Sequence, residues 1–167
     1  TINEERAVSG FPEVTDLSAI EAEIQERRRY YLKVIKSALN TLSAEELVTA
    51  VTAAVELATD NGETHGPILI ADLVDSYEVG AQAFLEKEEN TITLLVEGLH
   101  SAADDGQPDS VLEPMVHQLI LVMKNWDTVA QPIQVSTKSR GLDHDASRRI
   151  ALLVRELAIH MFNKHGK

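Results

Sequence analysis

Residues 110–130 read SVLEPMVHQLILVMKNWDTVA, and the period of this stretch decides the fold class. Leu112, Met115, Val116, Leu119, Val122, Met123, Trp126 and Val129 return at intervals of three and four, the spacing that brings side chains back to one face of an α-helix. Ile120 and Leu121 make a second face apolar, so this segment is expected to be the most buried helix of the chain. Ser110 followed by Glu113 has capping-box spacing, and Pro114 suits a first turn, where N–H groups lack helical acceptors.

A stripe this broad needs apolar partners on other elements. Upstream, Asp104-Asp105-Gly106-Gln107-Pro108 forms the clearest loop, and residues 67–105 before it pattern as helix, with a break expected between Ser76 and Gly80. Ser43 and Glu46 make another capping box, opening a helix that ends at Asn61-Gly62; its Ala50, Ala53, Ala54 and Ala58 predict a central, closely packed element. Leu17, Ile20, Ile24, Tyr31, Val34, Ile35, Ala38 and Leu42 form a further stripe, capped by Asp16 or Ser18 with Glu21. Arg27, Arg28 and Arg29 interrupt that stripe, and their directions, about 100° apart, preclude one flat basic surface. Downstream, Pro132–Arg140 reads as a loop in which Ile133, Val135 and Thr137 alternate as in an extended segment. Asp143 or Asp145 would then cap a last helix. The expectation is all-α: a single domain, a bundle of about five or six helices over residues 16–167, after an irregular segment at 1–15.

Composition narrows function by exclusion. The chain has 167 residues, no cysteine and a net charge of −12. Thiolate catalysis, disulfides and cysteine-held metals are ruled out. The acidic balance opposes binding to nucleic acid or anionic lipid. Charge is unevenly spread, with residues 1–26 summing to −6, 27–42 to +5 and 114–167 to +4. No apolar run approaches the roughly 18 residues of a membrane span. No glycine-rich phosphate loop, nucleophile elbow or dinucleotide fingerprint is present, so no cofactor is expected. The six histidines show no i, i+4 pairing, and Asp143 and Asp145 beside His144 are explained by capping, so no metal site is assigned. Thr1 in place of Met and the lack of a leader pattern suggest a piece of a longer cytoplasmic protein.

The last helix carries the candidate binding residues. On a 100° wheel Ile150, Leu153, Val154, Leu157 and Met161 share one face, while Leu152, Ile159 and Phe162 lie on the other with Arg148 and Arg155. A mixed apolar and cationic outer face suits docking to a protein partner or to a second copy. Lys138, Arg140, Arg148 and Arg149 surround the start of this helix, where free N–H groups favour an anion.

Two resemblances follow from these residues. Arg155 and His160, with four residues between them, match the spacing of the HEPN ribonucleases, whose fold is also all-helical. That resemblance implies RNA cleavage, with the histidine moving a proton. Glu156 departs from the small polar or amide residue usual there, and on a helix the pair point about 140° apart, so a shared site requires a dimer or a distorted helix. Residues Arg140 to Gly166, from Arg140-Gly141-Leu142-Asp143-His144-Asp145 through Met161-Phe162-Asn163-Lys164, resemble a helical segment of bacterial multidomain proteins in which a J-domain of the co-chaperone type occurs elsewhere. This implies a non-enzymatic interaction or scaffold module acting near chaperones, without assigning any residue a role.

Overall fold

A computed structural model describes residues 2–12 and 17–165. Six helices follow in order: α1 (Ile2–Val8), α2 (Ser18–Leu39), α3 (Ala44–Thr59), α4 (Ile68–Asp104), α5 (Asp109–Ser139) and α6 (Asp145–His165), with no strand among the described residues. The all-α expectation holds. The chain divides into two compact units, Thr1–Thr41 and Leu42–Lys167.

In the first unit, the stretch expected to be irregular contains α1. Its exit is fixed by Arg6, whose Nε donates to the Pro12 carbonyl at 2.9 Å and whose guanidinium lies over the Phe11 ring. Helix α2 starts at Ser18, with Leu17 at the cap position and no side-chain cap bond, so Ser18 is a helical residue rather than the cap. Asp16, the other candidate, lies outside the described residues. No residue of α2 is buried.

The second unit is built on the seam between α4 and α5. Ile92, Val96 and Leu99 of α4 join Leu112, Leu119, Val122, Trp126 and Ala130 of α5 in one apolar core, completed by Ile150 and Leu157 of α6. Gly98 faces α5, where an added Cβ would lie 3.2 Å from the flexible tip of Met115, Cε. Helix α3 runs alongside α5 in the same direction, as Glu56 meets Gln131 and Glu63 meets Lys138. Helix α6 runs along α4, as Glu89 meets Arg149 and Asp104 meets His160. The four helices therefore alternate up and down, as short connections favour.

Several sequence expectations are corrected here. No break occurs at Ser76–Gly80: α4 is continuous for 37 residues, about 55 Å, because Tyr77 and Ala81 are held in the interior. Helix α5 does not stop at Ala130 but runs through Pro132 to Ser139. Proline removes the N–H that residue 128 would receive and crowds that carbonyl, which normally ends or kinks a helix. Burial of Pro132, Ile133, Ser136 and Thr137 offsets that cost, and the Tyr77 hydroxyl donates to the adjacent Val129 carbonyl at 2.8 Å. The Ser110–Glu113 box does not form, since α5 begins at Asp109 after Pro108. Ile120 and Leu121 remain more than half exposed, so the other helices of this unit do not cover the second apolar face of α5. Helix α3 is an edge rather than a centre, with Leu57 almost fully exposed and only Val51, Val55 and Thr59 buried. The Ser43–Glu46 capping box does form, with Ser43 N donating to Glu46 at 2.9 Å.

Burial pushes the Tyr77 phenol up to about 12. In the unfolded chain the group ionises near 10, so the folded state holds its proton longer. The stability from this effect is fully present below pH 10 and is lost as pH rises from 10 toward 12. Tyr77→Phe is expected to cost about 1 kcal/mol at neutral pH, the worth of one hydrogen bond. Urea midpoints at pH 7, 9 and 11 should show a smaller alkaline loss for the variant than for the wild type.

Candidate functional site

Helix α6 presents two faces with opposite fates. Ile150 and Leu157 are buried, and Leu153, Val154 and Met161 pack against the core. Leu152, Ile159 and Phe162 are 47%, 50% and 61% exposed. Arg148 and Arg155 are exposed as well.

The cationic residues near the start of α6 do not form a free anion site. Lys138 is paired with Glu63 and also reaches the Asn61 carbonyl, while Arg149 donates from Nε and an Nη to Glu89 at 3.1 and 3.0 Å. Arg140 turns back to the Ser136 carbonyl at 3.3 Å. Lys138 holds the Glu63 carboxyl below the usual carboxylate range. Neither Asp143 nor Asp145 caps α6. His144 occupies the cap position, its carbonyl accepting from Arg148 N, and Asp145 is already helical.

The imidazole at that position is part of a compact cluster. Its Nδ1 is 2.7 Å from Ser147 Oγ, which accepts from Gln134 Nε2 at 2.9 Å. Ser147 can then donate its own proton to Nδ1, an arrangement that needs the neutral ring. Trp126 stacks on His144 at 6.1 Å between ring centroids. Together they floor a groove of about 470 Å³ whose other wall carries Asp75, Glu78, Glu86 and Glu89. Acids above an apolar floor favour a cationic group, although Glu89 is already engaged by Arg149. Burial lowers the His144 pKa most, and Arg149 adds to this against the opposing pull of Glu78, Asp145 and Glu89.

A second cluster joins the far ends of α4 and α6. The rings of His100 and His160 lie 4.5 Å apart, His160 Nε2 is 3.2 Å from Asp104 Oδ1, and Lys164 Nζ reaches the same oxygen at 3.0 Å. His160 Nε2 is shielded from solvent, and its alignment with Asp104 falls short of a hydrogen bond. Lys164 chiefly, with His160, holds the Asp104 carboxyl low against its desolvation. His160 is thus turned inward to α4, whereas Arg155 stays outside, and one chain does not gather the two into a site. No group of His, Asp or Glu side chains among the described residues is arranged to hold a metal ion. Sequence periodicity missed both clusters. The only available signal was that His144 and His160 lie on or beside a helix whose inner face is core.

No family model matches the chain, and neither a curated protein nor a solved structure matches it.

Trp126 is the sole tryptophan, so indole emission reports this cluster alone. The folded His144 titrates below the unfolded value of 6.5, so its stabilising contribution is present above 6.5 and is lost as pH falls through the folded value. Protonation places a quenching imidazolium against the indole. Emission is expected to fall with a midpoint below pH 6.5, and His144→Gln should abolish that step.

Proposed function

We propose that this chain is a non-enzymatic helical interaction module that docks to a protein partner, or to itself, through the outer face of α6. The observation carrying this reading is the exposure of Leu152, Ile159 and Phe162 beside Arg148 and Arg155 on a helix whose other face is already in the core. Fully covering each of these apolar side chains is worth roughly 1.5–3 kcal/mol, and arginine at the margin adds polar selectivity. No helix among the described residues is long and apolar enough to cross a membrane. The resemblance of residues 140–166 to bacterial multidomain J-domain proteins supports a cytoplasmic setting.

The HEPN-type ribonuclease reading is less well supported, because His160 faces Asp104 and His100 while Arg155 points away. It would regain ground only if RNA were cleaved and an Arg155→Ala, His160→Ala variant lost that cleavage.

The docking reading is tested with Leu152→Ser, Ile159→Ser, Phe162→Ser. Each substitution is on the surface and should change folding stability by less than about 0.5 kcal/mol. The variant is expected to keep its urea midpoint and to lose salt-resistant association, with partner or self, seen for the wild type in parallel capture and sedimentation. Unchanged association would remove α6 from the interface.

A further inference from the structure

The groove over Trp126 and His144 is built entirely from α4, α5 and α6 of the second unit. Its α4 side runs from Asp75 to Glu89, about 21 Å of helix axis at the rise of an α-helix. Asp75, Glu78, Glu86 and Glu89 line that side, and no lysine or arginine lines the groove. Arg149 engages Glu89, while Asp75, Glu78 and Glu86 meet no cation among the described residues.

Trp126 adds an independent sign. It lines the groove, is 3% exposed, and its Nε1–H has no acceptor among the described residues. A buried donor left so is costly, and an acceptor brought into the groove would relieve it. The wall therefore selects cations, and the floor selects an acceptor. A polyamine brings cations alone, whereas a basic peptide brings cationic side chains and backbone carbonyls together.

Shape narrows the choice further. A helix, about 10–12 Å across with its side chains, is too thick for a trough of this length whose volume is about 470 Å³. An extended chain advances about 3.3 Å per residue, so about six residues fill it. Side chains four apart on such a chain share a face and lie about 13 Å apart, close to the roughly 12 Å of α4 axis between Glu78 and Glu86. We propose that this groove binds an extended peptide segment carrying two lysine or arginine residues four positions apart. None of Leu152, Ile159 and Phe162 lines it, so the site is separate from the outer face of α6. One cation meets Asp75 and Glu78, the other meets Glu86, the residue midway covers the apolar floor, and a carbonyl of the segment accepts from Trp126.

The test uses the full chain and the end-blocked peptide Thr-Lys-Thr-Val-Thr-Lys-Thr, whose β-branched residues favour the extended form and whose lysines and valine share one face. Calorimetric titration at physiological ionic strength should show saturable binding. Thr-Lys-Thr-Val-Lys-Thr-Thr, with its lysines on opposite faces, should bind more weakly. Glu78→Lys with Glu86→Lys should weaken binding by about tenfold or more. Glu97→Lys with Glu113→Lys makes the same change of net charge at exposed positions outside the groove and should leave binding as it was. Urea midpoints check that both variants fold. The sole tryptophan gives one indole N–H resonance in a proton–nitrogen correlation spectrum. It should move downfield with the peptide and stay in place with spermidine, which brings cations without a carbonyl. Absence of saturable binding, equal losses in the two charge-reversed variants, an indole resonance that the peptide does not move, or spermidine binding as tightly as the peptide would each overturn the proposal.

Discussion

The second unit depends on the seam where α4 and α5 lie against each other. Ile92, Val96 and Leu99 join Leu119, Val122 and Trp126 in one core along several turns, and Gly98 faces the tip of Met115. Each buried aliphatic or aromatic side chain contributes on the order of 1.5–3 kcal/mol, which exceeds the local preferences of individual residues along the same helices. For that reason α4 passes through Gly80 and α5 passes through Pro132 without ending. Tyr77 joins the two facts: its ring is buried on α4, and its hydroxyl reaches Val129 just before the proline in α5.

Polar chemistry gathers at the edges of this seam. The Gln134–Ser147–His144 chain ties the start of α6 to α5, and Asp104 with His160 and Lys164 ties the end of α6 to α4. These contacts use side chains that isolated inspection would offer for catalysis or ion binding. Lys138 and Arg149 are similarly occupied by Glu63 and Glu89. Exposed ion pairs of this kind add little stability, but they fix which surfaces carry unspent charge.

With Lys138, Arg140, Arg149 and His160 engaged internally, the outward surface still includes sizeable apolar faces. The outer face of α6 and the stripe of α2 expose large aliphatic and aromatic residues beside arginine, in a chain with few aromatics overall. Contiguous exposed apolar faces of this kind are uncommon on monomeric proteins and often mark sites of association.

Helical class, the capping box at Ser43 and the two-faced character of α6 were legible in the sequence, because each depends on spacing along a single helix and needs no knowledge of neighbours. Leu152, Ile159 and Phe162 could be set opposite Leu157 from the 3.6-residue period alone. The continuity of α4 and α5, the edge position of α3 and the histidine at the start of α6 were not legible. They are set by burial against other helices, whose energy overrides glycine and proline signals. The pairings of His160 with His100 and Asp104, and of Trp126 with His144, join residues up to 60 positions apart. No local period encodes such distances, so only the packed helices could decide which side chains were bound within the chain and which were left to meet something else.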